Sequence, residues 1–211
     1  MLPTKEEFYE ALVERHGRKN QEKFSKATVA ICGLGGLGSN IAICLARAGV
    51  GKLILIDYDK VDVTNLHRQQ YKANQVGMLK TYAMMENLME INPYLQAEAY
   101  SIILNENNLQ DILKEADIVC EAFDDARYKA MLVNEVLEKF GEKYILSSSG
   151  MAGFGSANLI TTKKLSGRFY LCGDGVSDVE DGIGLVASRV MVCAAQEAHM
   201  VLRILMGECE P

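Results

Sequence analysis

Apolar and polar positions alternate along this chain in blocks that have the lengths of strands and helices. Five short segments, most of them continuous in apolar residues, predict buried strands at residues 28–32, 52–56, 95–103, 117–122 and 144–147. Helical periodicity fills the intervals, at residues 39–48, 78–91, 109–116 and 126–140. This repetition predicts an α/β fold of the Rossmann-like, doubly wound type, with a mainly parallel sheet and helices on both faces.

The two ends of the chain depart from this rhythm. An amphipathic helix is predicted at residues 5–16, and we assign residues 1–27 to an N-terminal helical arm. Residues 28–211 are predicted to form a single domain. Its last part has a Gly-rich loop at 173–184, expected to be mobile, and a long apolar helix at 184–206. That helix fits either the core or a dimer interface.

The amino-acid composition limits the kinds of binding partner and the cell compartment that we expect. The 211 residues are 49% hydrophobic and carry a net charge of −6 without a basic tract, which argues against a nucleic-acid partner. No apolar run reaches the roughly 18 residues that span a membrane, and the polar N-terminus is not a signal peptide. We therefore expect a cytoplasmic protein. The six cysteines form no C-x-x-C pair, so neither a disulfide framework nor a structural zinc site is expected.

A glycine-rich turn follows the first predicted strand directly. Gly33, Gly35 and Gly38 form G-x-G-x-x-G between that strand and the next helix, which is the context that the motif requires. Without side chains, the backbone N–H groups and the helix N-terminus can face phosphate oxygens. Asp57 ends the second strand, where a carboxylate can bind ribose hydroxyls. The motif alone leaves NAD, FAD, S-adenosylmethionine and ATP open.

A group of polar residues beyond the second strand favours ATP. Asn65 and Arg68 lie three residues apart, and Lys80 starts the next helix. Arg has a planar fork of donors that matches phosphate oxygens, and Lys adds a point charge. Asp124 follows the strand at 117–122, at the sheet edge where such folds bind ligands, and could hold Mg²⁺. Each residue alone would be read as a surface charge, so the prediction depends on the group.

The wider sequence resembles a known family. The stretches G-L-G-G-L-G, L-A-R-A-G-V-G and L-I-D-Y-D-x-V-D-x-T-N-L-H-R-Q are similar to the ThiF/MoeB group of the ubiquitin-activating-enzyme-like superfamily. The resemblance is strong over residues 15–125 and weaker beyond. The short length and the missing zinc ligands are most similar to a compact ThiF-type sulfur-carrier adenylyltransferase.

The resemblance implies a role for each matching position. The implied nucleotide contacts are Gly36 against the nucleotide, Asp57 at the ribose, and Asn65, Arg68 and Lys80 at the triphosphate. Asp124 would ligate Mg²⁺, and Arg18 would reach across a homodimer interface into the partner's site. The implied reaction is ATP-dependent adenylation of the C-terminal Gly-Gly of a small ubiquitin-like sulfur carrier, of the ThiS type, in thiamine biosynthesis.

Several alternatives stay open at this point. The carrier could instead be a MoaD-like protein of molybdopterin synthesis, or the substrate could be the small substrate of a tRNA-modifying dehydratase. A NAD-dependent oxidoreductase would explain the glycine turn but not Arg68 or Lys80, and a non-catalytic scaffold would not need the full set of charges. Cys172 could serve as a sulfur-relay thiol, but we favour a structural cysteine at a strand end because nothing near it in sequence is cationic enough to lower the pKa of the thiol.

Overall fold

The structure, a computed structural model, describes residues 2–179 and 182–211. Within these ranges a single sheet of seven strands forms the centre of the molecule, in the order β3-β2-β1-β4-β5-β7-β6. The strands are β1 Thr28–Cys32, β2 Lys52–Ile56, β3 Gln96–Tyr100, β4 Ile118–Glu121, β5 Tyr144–Ser148, β6 Thr161–Lys164 and β7 Phe169–Gly173. All neighbouring pairs are parallel except β6 with β7, as the prediction of a mainly parallel sheet required.

The helices cover both faces of this sheet, which confirms the doubly wound fold. They are α1 Lys5–His16, α2 Arg18–Phe24, α3 Gly36–Arg47, α4 Lys80–Ile91, α5 Leu109–Leu113, α6 Ala126–Lys139 and α7 Ala187–Met206. One core lies under α3, α4 and α7 and the other under α5 and α6, and successive residues of β1 belong to the two cores alternately. Among the described helices, none is long and apolar enough to cross a bilayer.

The predicted elements occur with small shifts in their ends. The helix after the glycine turn begins at Gly36 rather than at residue 39, and the last helix begins at Ala187 rather than at residue 184. One helix and two strands were not predicted: α2 and the antiparallel strands β6 and β7. In the loop predicted at 173–184, Glu180 and Asp181 lie outside the described residues.

The N-terminal arm lies on the surface of the sheet domain. None of the residues of α1 is buried, whereas α2 buries Gln21 and Phe24. The ring of Phe8 meets that of Tyr94 edge-on, with centroids 6.1 Å apart, and the Tyr94 hydroxyl donates to the Pro3 carbonyl at 2.6 Å. The division into an arm at 1–27 and a domain at 28–211 stays a prediction.

The strand order decides where a ligand can bind. From β1 the chain winds outward to β2 and β3 and then returns to place β4 on the other side of β1. At such a switch point the connections leave β1 and β4 in opposite directions, which opens a crevice at the carboxyl ends of the strands. The glycine turn, Asp57 and Asp124 all follow carboxyl ends at this edge.

Candidate functional site

A cavity of about 530 Å³ opens at the carboxyl edge of the sheet. The predicted site residues that line it are Gly33, Gly35, Gly36, Asp57, Asn65, Arg68, Lys80 and Asp124. Residues from three connections of the chain, those after β1, β2 and β4, therefore come together in one place, although up to 91 positions separate them in sequence. Gly38 and Arg18 do not line the cavity.

The glycines of the turn serve two different purposes. A Cβ on Gly38 would lie 1.8 Å from the Gly33 carbonyl oxygen, and one on Gly33 would lie 2.6 Å from that of Ala122. These two glycines let the turn pack against the start of α3 and the end of β4. Gly35 and Gly36 instead face the cavity, where they leave the backbone N–H groups at the start of α3 accessible to a ligand.

Asp57 connects the end of β2 to the glycine turn. Its Oδ2 accepts a hydrogen bond from Leu34 N at 2.7 Å, and its Oδ1 accepts one from Asp59 N at 2.8 Å. Burial raises the pKa of Asp57, and nearby Lys80 and the two backbone donors oppose that shift. Each carboxylate oxygen keeps a further lone pair, so Asp57 can hold the turn and accept from a ribose hydroxyl together.

Lys80 is a buried cation at the first position of α4. Its Nζ lies 2.9 Å from Asp59 Oδ2 and 3.9 Å from Asp57 Oδ2. The backbone fixes this position, since Lys80 N donates to the Asp59 carbonyl and Lys60 and Leu79 pair through their backbones as in an antiparallel sheet. Asp59 is half exposed, so an incoming phosphate can replace it beside the ammonium without leaving a buried carboxylate unpaired.

Arg68 follows a short 3₁₀ turn, Val63–Asn65, that presents Asn65 to the same cavity. The Arg68 Nη1 donates to the Thr64 carbonyl at 3.3 Å. Its Nε is buried and has no hydrogen-bond partner among the described residues. An unpartnered buried donor on a cation is costly unless a ligand satisfies it, so the guanidinium fits a site for an anion.

Asp124 is exposed in the turn that joins β4 to α6. The preceding residue is held by Glu121, whose Oε1 accepts from Phe123 N at 2.7 Å, and the following residue, Asp125, caps α6 through Arg127 N. Over the described ranges, no three His, Cys, Asp or Glu residues are grouped so that they could hold a metal ion. One carboxylate fits Mg²⁺ only if phosphates and water supply the other ligands, which is how Mg²⁺ commonly binds with nucleotides.

An ion pair behind Asp124, between a buried glutamate and a partly buried lysine, was missed by the sequence analysis. Glu121 is fully buried, and its Oε2 accepts from Ser147 Oγ and from Lys129 Nζ, the latter at 2.9 Å. Lys129 Nζ also donates to the Ser148 carbonyl at 3.3 Å, and its side chain lines the cavity. The sequence contained one sign of this pair, a glutamate inside an apolar strand segment, where an unpaired charge is expensive.

The last wall of the cavity comes from the connections around β7. Arg189 of α7 forms a buried ion pair with Asp174 and also donates to the Ala152 carbonyl. Burial opposes ionisation of Asp174, but hydrogen bonds from Ser177 N, Val176 N and Arg189 lower its pKa. His67 Nε2 lies 3.2 Å from the Leu185 carbonyl, which ties this wall to the segment that carries Arg68.

Two further candidates lie away from the cavity. Arg18 is exposed on α2 and pairs with Glu10 of the same chain, Nη2 to Oε2, at 2.8 Å, so its contact with a partner subunit stays a prediction. Cys172 is fully buried in β7, and burial raises the pKa of its thiol, which agrees with a structural cysteine.

Cys32, Cys120 and Cys193 are buried as well, whereas Cys44 is only partly buried. Burial raises the pKa of the Cys44 thiol as well, though Arg47 opposes that shift.

Solved structures with this fold include nucleotide-binding proteins. The E. coli tRNA N6-threonylcarbamoyladenosine dehydratase TcdA, crystallised in complex with ATP, matches with a TM-score of 0.88 at 21% identity, over 99% of this chain and 98% of that one. E. coli MccB with ATP matches with a TM-score of 0.72 at 23% identity, over 97% of this chain and 65% of that one. At these identities the likeness establishes the fold.

Curated relatives are closer in sequence. "Adenylyltransferase and sulfurtransferase UBA4" of Candida albicans is 30% identical over 197 residues, which are 90% of this chain and 44% of that protein. "Sulfur carrier protein adenylyltransferase" of Thermus thermophilus is 34% identical over 152 residues, 69% of this chain and 55% of that protein. The chain thus spans about half the length of the curated relatives that it matches. The model of the ThiF family matches residues 9–211, and the chain belongs to the ThiF family.

Proposed function

We propose that this chain is an ATP-dependent adenylyltransferase that activates the C-terminal glycine carboxylate of a small ubiquitin-like sulfur-carrier protein of the ThiS type, in thiamine biosynthesis. The observation that carries the proposal is the pair of cations beside the glycine turn, Arg68 with its unpartnered Nε and the buried Lys80. Two cations beside the turn match the charge of a triphosphate, which is larger than the charge of the pyrophosphate in NAD. The curated relatives named adenylyltransferases support the same reaction.

The cavity accounts for each part of ATP. The phosphates would lie on the backbone of Gly35 and Gly36 at the N-terminus of α3, with Asn65 as a neutral donor beside Arg68. Asp57 would accept from the ribose hydroxyls. The adenine would rest against the apolar side chains at 102–104, which line the same cavity. The structural neighbour TcdA was crystallised in complex with ATP, which supports ATP as the ligand of this fold.

The chemistry is a nucleotidyl transfer with one bond formed and one broken. The terminal carboxylate oxygen of the carrier attacks the α-phosphorus, the bond to the bridging oxygen breaks, and pyrophosphate leaves with its electron pair. Two anions must approach each other, so Arg68 and Lys80 stabilise the charge that grows on the phosphate oxygens. Asp124 would hold Mg²⁺, which when bound would offset charge on the leaving pyrophosphate.

The structural match to TcdA, which extends over nearly the whole of both chains, suggests a second candidate substrate. The match to TcdA covers 98% of the TcdA chain, and TcdA is a tRNA N6-threonylcarbamoyladenosine dehydratase. A tRNA-bound carboxylate would need a cationic surface around the cavity, and the chain carries a net charge of −6. This charge favours a protein carrier.

The direct test is ATP–pyrophosphate exchange with purified carriers. We expect exchange with a ThiS-like carrier, weaker or no exchange with a MoaD-like carrier, and none when the terminal glycine is removed. Asp124→Asn should reduce exchange at least about 100-fold, because a transition-state contact is lost. Asp111→Asn, at an exposed site on α5, is the matched control and should exchange normally. Exchange stimulated by tRNA and by no carrier would refute the proposal.

The proposed enzyme is a cytoplasmic homodimer in which Arg18 acts in the partner's site. Arg18→Ala and Asp124→Asn should each be inactive alone. In a mixture of the two variants, one site of each mixed dimer would regain both residues, and about a quarter of all sites would be restored by random pairing. Activity that fails to return on mixing, with mixed dimers demonstrated, would place Arg18 outside the partner's site.

A further inference from the structure

Glu121 connects three elements behind the cavity. It is the last residue of β4 and is fully buried. One carboxylate oxygen accepts from Phe123 N in the next turn, at 2.7 Å. The other accepts from Ser147 Oγ of β5 and from Lys129 Nζ of α6, the latter at 2.9 Å. A single side chain therefore fixes the turn that carries Asp124 relative to both β5 and α6.

Lys129 extends this connection to the neighbouring turn. Its Nζ donates to the Ser148 carbonyl at 3.3 Å, directly before the segment 149–152 that lines the cavity. The ammonium is thus shared between the turns after β4 and β5. Removal of Lys129 would leave the buried carboxylate of Glu121 without its counter-ion, and removal of Glu121 would release the Lys129 ammonium from the turn after β4.

The carboxylate of Glu121 and the ammonium of Lys129 together carry no net charge. A second carboxyl group faces the pair, that of Glu197 of α7, which is fully buried. Burial, followed by the charge of Glu121, raises the pKa of Glu197 to about 8, so that its carboxyl is protonated at neutral pH. Lys129 then has one buried carboxylate as its counter-ion and no surplus charge to offer an anionic substrate.

We propose that Glu121 and Lys129 are a positioning pair, which places the carboxylate of Asp124 for the reaction by fixing its turn to β5 and α6. The pair acts through Asp124 and does not itself bind the nucleotide or the carrier. This inference rests on the proposed function, since Asp124 is the group that is positioned. The turn 122–125 is held at one end by Glu121 and at the other by the cap of α6 at Asp125.

The test compares two lysines that hold loops at opposite ends of the same strands. Lys129→Met removes the ammonium at the carboxyl ends of β4 and β5. Lys143→Met is the matched control, because Lys143 Nζ donates to the carbonyls of Lys114 and Ala116 before β4. A displacement of about 1 Å at a reacting group costs about 100-fold. We therefore expect Lys129→Met to lose about 10- to 100-fold in kcat with a nearly unchanged KM for ATP, and Lys143→Met to keep its kcat.

Two further variants separate positioning from stability. Lys129→Arg keeps the charge and the donors and should recover most of kcat. Glu121→Gln keeps an acceptor for Phe123 N but loses the charge, and should reproduce the kcat loss even if Lys129→Met fails to fold. A kcat loss in Lys129→Met no greater than in Lys143→Met, or a normal kcat in Glu121→Gln, would overturn the proposal.

Hydrogen–deuterium exchange gives a readout that does not depend on activity. Peptides that cover residues 122–125 should exchange faster in Lys129→Met than in wild type and in Lys143→Met. If Lys129→Met does not fold, Glu121→Gln takes its place in this comparison. Unchanged exchange there would refute the pair even in an inactive protein. Failure of the proposed function looks different, because the wild type itself would then lack carrier-dependent pyrophosphate exchange.

Discussion

Replacement of Glu197 by Gln should remove a large pH dependence from the stability of this protein. Glu197 is fully buried in α7, and neither carboxyl oxygen has an N–H or O–H donor within hydrogen-bond distance among the described residues. The groups that face it are Glu121, Lys129 and the thiols of Cys120, Cys172 and Cys193. Burial and then Glu121 raise the pKa of Glu197 to about 8, against the opposing effects of Lys129 and Cys120.

The sign and size of the effect follow from proton linkage. Between the ordinary pKa of 4.5 and the folded value of about 8, the folded chain holds a proton on Glu197 that the unfolded chain has released. The stabilisation that the Glu197 carboxyl contributes is fully present below pH 4.5. As the pH rises, the free energy of unfolding then falls by up to about 1.4 kcal/mol per pH unit. Over the full range from pH 4.5 to about 8, the free energy of unfolding falls by on the order of 5 kcal/mol. Gln does not titrate, so this contribution disappears in the variant.

Urea unfolding at pH 5, 6, 7 and 8 measures the effect. The chain has no Trp, so far-UV circular dichroism is the suitable probe. The free energy of unfolding of wild type minus that of Glu197→Gln should fall steadily from pH 5 to pH 8, since all other titrating groups cancel in the difference. Glu138→Gln, at an exposed site on α6, should show no such trend. Parallel curves for wild type and Glu197→Gln would mean that Glu197 ionises normally and that the burial argument is wrong.

Three further predictions concern the cavity and the buried thiol. Gly38→Ala should lower the free energy of unfolding in urea by at least about 3 kcal/mol, because the new Cβ would meet the Gly33 carbonyl. Gly35→Ala should fold normally, because its Cβ would have no neighbour nearer than 3.8 Å, but it should lose ATP affinity. Lys80→Met should raise the Kd for Mg·ATP by about 10- to 100-fold in calorimetry, the value of one charge-assisted contact, and an unchanged Kd would remove Lys80 from the phosphate site. Cys172→Ala should retain full pyrophosphate exchange and carrier thiocarboxylation, and native Cys172 should resist a thiol reagent; loss of thiocarboxylation with normal exchange would instead identify a relay thiol.

The fold and most of the cavity wall could be predicted because the governing interactions are local. A strand, a glycine turn and a helix follow one another within 20 residues from Thr28 to Arg47, and turn chemistry and periodicity act over that range. The rule that ligands bind at the carboxyl ends of parallel strands then placed Asp57 and Asp124 at one edge. Asn65, Arg68 and Lys80 were found from residue type and spacing, and all three line the cavity.

Non-local pairing decided the rest. Sequence spacing does not say which strand neighbours which, so the antiparallel pair β6–β7 beyond β5 was missed. A charged residue read from sequence alone is assigned to the surface, and only the packed sheet brings Glu121 against Lys129 or Asp174 against Arg189. Burial of Glu197 likewise depends on α7 lying across the sheet. The sequence by itself determined what can bind a triphosphate, whereas the tertiary structure determined which buried charges hold that site in place, because the free energy of a buried charge depends on neighbours that are distant along the chain.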